Sequence, residues 1–205
     1  GLARALQPHR LLEMPPQLSR ATRGASLPVL TVAGGPHPRL REQVARAARG
    51  AALVTLDVEG LLLRGQAAAD EAFELARAWL TTGRDVLLTS PLDPVVWQRA
   101  RELMRNLGGA PEPSGLVAGA LGSLAARLAQ ALSLAGLVVS GRDLAAHFAR
   151  ASAASPARVV ASLGSGAVLL EGGEPRLRWV VKPGVSGGPE VLDLLAARLR
   201  LAQVP

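Results

Sequence analysis

The chain of 205 residues has no cysteine, no tyrosine, a single lysine, three tryptophans and two phenylalanines. Without thiols, disulfides and thiolate metal sites are excluded, and the composition is compatible with a cytoplasmic location. The three histidines, His9, His37 and His147, share no metal-ligand spacing, so a transition-metal site is not expected. So few aromatics leave base stacking little to work with. The arginines are spread along predicted helices rather than clustered, and the net charge of +7 therefore reads mostly as solvated surface, not as a nucleic-acid footprint. No apolar run is long enough to cross a bilayer, because Arg or Asp interrupts each candidate. Residues 1–20 carry no apolar segment followed by a small-residue cleavage site, so no export signal and no membrane partner are expected.

What is present is a chain able to bury a core, with 49% hydrophobic residues. Residues 1–25 read as a short helix and a Pro- and Arg-bearing connector, and a regular pattern runs from Pro28 onward. Short apolar runs predict buried strands at Val29–Ala33, Ala52–Val58, Asp85–Thr89, Leu137–Ser140, Arg158–Ser162, Ala167–Leu170 and Leu177–Val181. Between them, spacing and caps predict helices at Arg39–Arg49, Gln66–Thr81, Pro94–Asn106, Ser114–Ala135, Leu144–Ala154 and Pro189–Leu201. Gly108-Gly109 supplies a helix stop. Strand–helix alternation of this kind predicts an α/β fold, a layered sandwich with a mostly parallel β-sheet flanked by helices. The three tryptophans, Trp79, Trp97 and Trp179, fall in helix or strand patterns and read as core or edge packing.

In such sheets ligands bind beyond the C-terminal strand ends, where loops with free N–H groups enter helix N-termini. Three of those loops here bear glycine: Gly34–Pro38, Gly141–Asp143 and Gly184–Gly188. None matches a Walker P-loop or a GxGxxG fingerprint. The only lysine, Lys182, stands at the start of the third. An ammonium beside backbone-exposing glycines suits a phosphate, since N–H groups and one cation can share the same anion. The bland alternative is a solvent-facing strand end. Asp143 is placed to approach a Mg²⁺ or its waters, or to serve only as a helix N-terminal charge.

Three segments, in order, resemble the motifs of the four-carbon acid sugar kinases, in their C-terminal nucleotide-binding domain. Pro28–Gln43, with Gly34-Gly35-Pro36-His37-Pro38, resembles that family's Gly-Ser-x-Ser-Pro-x-Thr-x-x-Gln turn and helix. Gly136–Leu144, with Ser140-Gly141-Arg142-Asp143, resembles its Gly-Gly-Asp/Glu-Thr phosphate loop. Val181–Glu190, with Lys182-Pro183-Gly184-Val185-Ser186-Gly187, resembles its Lys-Ser-Gly-Asn-Phe-Gly segment. Gly1–Leu6 looks like the tail of the substrate-binding domain that precedes this one in the family. The resemblance implies a nucleotide-binding domain over residues 26–205. It also implies ATP and Mg²⁺ as cofactors, with nucleotide contacts at Gly34, Gly35, His37, Ser140, Gly141, Arg142, Asp143, Lys182, Gly184 and Gly187, and the metal at Asp143.

The departures are specific. The Ser, Ser and Thr of the first motif are Gly35, His37 and Leu40; the second Gly and the Thr of the phosphate loop are Arg142 and Leu144; in the third segment Ser, Asn and Phe are Pro183, Val185 and Ser186. Backbone permissiveness and charge survive, whereas side-chain hydrogen bonding is lost, at about 0.5–1.5 kcal/mol for each neutral bond and roughly 1.5–3 where the partner is charged. Arg142 offers a phosphate-directed fork in partial return. The acidic Asp-Asp-x-Thr-Gly type motif of the family's substrate domain is absent from the sequence, and no catalytic residue is assigned. Two expectations stand together: the nucleotide half of an ATP-dependent carbohydrate kinase, phosphorylating a tetronate-type sugar acid held by a separate substrate-binding domain, or a catalytically degenerate binding or assembly module. A homo-oligomer is left open.

Overall fold

The structure, a computed structural model, describes residues 27–108, 112–152, 156–173 and 176–201. The expected N-terminal helix and connector of residues 1–25 lie outside the described residues, as does Gly109 of the helix stop.

Among the described residues seven strands form one sheet: β1 (Val29–Ala33), β2 (Ala52–Thr55), β3 (Val86–Thr89), β4 (Gly136–Ser140), β5 (Ala157–Ser162), β6 (Val168–Gly172) and β7 (Leu177–Lys182). Their order is β2-β3-β1-β4-β7-β6-β5. The pairs from β2 through β7 are parallel, and β7-β6-β5 closes the sheet as an antiparallel meander. Every residue of β1, β3 and β4 is buried, as expected where helices cover both faces of a parallel sheet. The described helices are α1 (Pro38–Ala47), α2 (Val58–Arg64), α3 (Gln66–Thr81), α4 (Pro94–Asn106), α5 (Ser114–Ala131), α6 (Arg142–Ala151) and α7 (Val191–Leu201). Side chains of α2–α6 pack into the core on one face, around Leu30, Val32, Leu137 and Val139. Those of α1 and α7 pack on the other, around Val29, Val138 and Val180. The α/β sandwich expected from the strand–helix alternation is what the chain forms.

Local chemistry explains most boundaries. His37 caps α1, its Nδ1 accepting from the Arg39 N–H at 3.2 Å, with Pro38 as first helical residue. Asp93 and Pro94 repeat the device at α4. One boundary differs from expectation: the second strand stops at Thr55, and Asp57 caps α2 by accepting from the Gly60 N–H at 2.9 Å. Val58 prolongs the apolar run in sequence, but the capping carboxylate makes it the first residue of a helix instead. The helix expected from Leu144 begins at Arg142, and the one expected to reach Ala135 ends at Ala131.

On the meander, the side chain of Glu171 is 3% exposed and is flanked by Arg158, Arg176 and Arg178. Hydrogen bonds from Arg158 and Arg178 hold its carboxyl below the ordinary glutamate value, with the charge of Arg176 adding to the effect. A depressed carboxylate stabilises the fold above its unfolded value, and that contribution is lost as pH falls through the folded one. Acid unfolding followed by circular dichroism should therefore show a shallower acid limb for Glu171→Gln than for the parent.

Candidate functional site

Strand register levels three turns at one sheet edge. Ala33 of β1 lies beside Ser140 of β4, and Ser140 lies beside Lys182 of β7. The chain leaves this row through Gly34-Gly35, Gly141-Arg142 and Pro183-Gly184, so residues far apart in sequence meet at the C-terminal ends of adjacent parallel strands. The turns border a cavity of about 280 Å³. Of the residues expected to contact nucleotide, the structure brings Gly34, Gly35, Ser140, Gly141, Arg142, Asp143 and Gly184 to its wall. The rest of the lining includes apolar side chains, among them Trp97 of α4, Val117 and Leu121 of α5, and Leu144 of α6.

The glycines expose backbone where a side chain would close the site. Gly35, Gly141 and Gly184 have φ of 113°, 124° and 39°, conformations that side chains rarely adopt. A Cβ on Gly34 would stand 2.8 Å from Leu121 Cδ1, so only glycine fits against that side chain. Its neighbour Gly35 donates its N–H to Ser90 Oγ at 2.9 Å, which fixes the first turn. Gly141 supplies no side-chain cap to α6. The first N–H groups of that helix, which have no intrahelical acceptor, are thus left to solvent or to an anion.

Lys182 lies beneath this wall. It is 0% exposed, so the solvent-facing alternative does not hold. Its Nζ donates to the Gly184 carbonyl, which also accepts from Ser140 Oγ at 3.0 Å. Among the described residues no carboxylate pairs with it, and burial pushes its ammonium down to about 8. A buried cation without a counter-charge is costly, and the carbonyl that holds it belongs to a residue of the cavity wall.

Two other expected contacts stand apart from the wall. His37 is exposed at the start of α1 with Nδ1 engaged in its cap. Gly187 packs against Val191 and offers its carbonyl to Gln43 Nε2 at 3.1 Å. Asp143 is the single carboxylate on the cavity wall, and among the described residues no cluster of three metal-ligating side chains occurs. That donor set fits a hard cation taking one carboxylate plus ligand phosphate oxygens and water, the usual habit of Mg²⁺. Trp97, expected from the sequence to be core or edge packing, lines the cavity, together with Val117 and Leu121, which the sequence did not mark out. Their only signal is the apolar helical face they share with ordinary core residues.

The arrangement offers apolar side chains beside glycine turns, an uncapped helix N-terminus, an exposed arginine and, beneath them, a buried ammonium. Among the described residues no helix is long and apolar enough to cross a membrane. The family model of the nucleotide-binding C-terminal domain matches residues 30–192. No match is found among curated proteins. Among solved structures, the chain is similar to a Bordetella bronchiseptica protein described as a domain of unknown function (DUF1537), with bound citrate, in a domain-swapped dimer. The identity is 29% and the TM-score 0.68, over 86% of this chain and 42% of that one. It also shares its fold with the Haemophilus influenzae protein HI1011 of family DUF1537, at 15% identity and TM-score 0.65, over 87% of this chain and 40% of that one. The chain thus spans about two fifths of the length of these relatives. With a family match across most of its length, the chain belongs to the nucleotide-binding C-terminal domains of the four-carbon acid sugar kinase family.

Proposed function

We propose that the cavity binds ATP with Mg²⁺ and that the chain is the nucleotide half of a kinase acting on a four-carbon acid sugar. The observation that carries this reading is Lys182, a buried ammonium with no carboxylate partner among the described residues, set under glycine turns that open onto one cavity. An anionic ligand at the turns supplies the missing counter-charge. The uncapped first N–H groups of α6 would receive phosphate oxygens, Arg142 would reach one from the rim, and Asp143 would hold the metal. Bound Mg²⁺ would neutralise charge on the phosphates being cleaved and transferred. The apolar wall of Trp97, Val117 and Leu121 takes the base.

Phosphoryl transfer also requires the acceptor to be positioned, and the sugar acid falls to a separate substrate-binding domain. The domain division belongs to the same proposal, with residues 1–25 as the tail of that preceding domain and residues 26–205 as the nucleotide domain. The domain-swapped dimer described for the Bordetella protein supports testing this chain for self-association.

Isothermal titration with Mg·ATP checks the binding claim. Saturable heat that weakens on Arg142→Ala is expected, and no heat at millimolar nucleotide overturns it. A second reading, a binding module without catalysis, is favoured by one feature. Leu144, only 4% exposed, replaces a hydroxyl of the phosphate loop with an apolar side chain. Phosphorylation of a four-carbon sugar acid after mixing with a polypeptide bearing the acidic motif selects the kinase; nucleotide binding without turnover selects the module.

A further inference from the structure

Gln43 is 1% exposed on α1 and is not among the residues lining the cavity described above. Its Nε2 faces three successive backbone carbonyls of the turn after β7, those of Val185 at 3.4 Å, Ser186 at 3.2 Å and Gly187 at 3.1 Å. Carbonyls only accept, so the amide must present its nitrogen to them and its oxygen away. Its Oε1 is buried with no donor among the described residues. The three carbonyls alone therefore fix the orientation of this amide.

The turn it grips begins with the Gly184 carbonyl, the acceptor of both Lys182 Nζ and Ser140 Oγ. A link thus runs from the first motif helix, through Gln43, to the turn that holds the buried ammonium and contributes Gly184 to the cavity. The remaining internal bonds of the turn are few. The Ser186 N–H and Oγ both reach the Pro183 carbonyl, at 3.1 and 2.8 Å. Backbone in a glycine-rich turn with so little internal bonding opens readily unless tied from outside.

We infer that Gln43 is a positioning residue that clamps the 183–188 turn and thereby holds Lys182 beneath the nucleotide cavity. The role in ligand binding rests on the nucleotide reading above, but the clamp itself can be tested with no nucleotide present.

The chain's single lysine makes the experiment direct, because amine acetylation of the peptide carrying Lys182, read by mass spectrometry, reports that residue alone. Gln43→Met keeps the volume and removes the amide. Its Lys182 should be acetylated roughly tenfold faster than in the parent, the factor expected from losing one such anchor. Val54→Ala, a core truncation on β2 at 0% exposure, serves as the control for general destabilisation. An unchanged rate in Gln43→Met overturns the inference, and so does an equal acceleration in Val54→Ala. Should Gln43→Met not fold, hydrogen exchange on the parent chain decides. The Ser186 amide should then share the protection of the α1 amides, and free exchange of Ser186 beside a protected α1 overturns the clamp. Adding Mg·ATP in a final arm should slow acetylation in the parent; if it does not, the nucleotide reading fails while the clamp result stands.

Discussion

Lys182→Met should raise the melting temperature while weakening nucleotide binding. The ammonium is fully buried and pushed from 10.5 to about 8 by desolvation. That difference corresponds to about 3 kcal/mol carried by the folded state near neutral pH. Methionine removes the charge and keeps most of the volume. It gives up one hydrogen bond to the Gly184 carbonyl, a loss of about 1 kcal/mol, but that carbonyl retains Ser140 Oγ at 3.0 Å. The net gain is of order 2 kcal/mol, or roughly 4–8 °C for a chain of this size. Affinity for Mg·ATP should fall about 10–100-fold, as the loss of a charged contact implies. Thermal unfolding and titration on the same sample check both signs, and a destabilised variant would show that Lys182 is held by a partner charge.

The pH dependence follows from the same group. Below about 8 the folded and unfolded chains both carry the proton, and the burial cost is present in full. Between about 8 and 10.5 only the unfolded chain holds it, so stability rises with pH through that window. Above 10.5 both forms are neutral and the cost is gone. Lys182→Met should show no such rise.

The second large effect is expected at Gly122, inside α5. Its backbone is ordinary helix, so any penalty there is steric. A Cβ at this position would stand 2.6 Å from His147 Cβ and 2.8 Å from the Phe148 backbone nitrogen on α6. Those atoms cannot rotate away, so α5 and α6 must separate. Gly122→Val should cost about 3 kcal/mol, at the upper end for overpacking, and lower the melting temperature by roughly 6–12 °C. It should also loosen the edge contact of Phe148 with Trp179, whose ring centroids are 5.0 Å apart. Because α5 and α6 both contribute to the cavity wall, nucleotide affinity should fall with stability. Gly119→Ala is the internal control. Its added carbon would meet His147 Cε1 at 3.5 Å, an ordinary contact, so helix propensity should dominate and leave stability level or up to about 1 kcal/mol higher.

The strands flanking the site were legible because burial on both faces writes itself as short, mostly apolar runs rich in Val and Leu, as in Val29–Ala33 and Leu137–Ser140. Turn glycines after those strands announced the sheet edge where the loops meet. Two things were not legible. The helix Val58–Arg64 is short and contains Gly60, and its cap Asp57 follows a β-branched strand without a break, so local pattern favours continued strand. The apolar wall of Trp97, Val117 and Leu121 is chemically the same as core, and only the spatial ending of the sheet exposes it. Lys182 illustrates an intermediate case. Its isolation in sequence marked it, while its depth depended on the turn that Gln43 holds down, a contact between residues far apart in the chain.

The sheet order carries a consequence for how the chain acquires this shape. An interior strand, β1, is also the earliest described one, and it joins residues 86–89 on one flank and residues 136–140 on the other. Emerging from a ribosome, it waits with unsatisfied edges until both flanks have been synthesised. The β5–β7 meander pairs segments close in sequence and needs no such delay. Refolding should accordingly show rapid closure of the meander, then a slower phase set by insertion of β1 between partners distant from it in sequence.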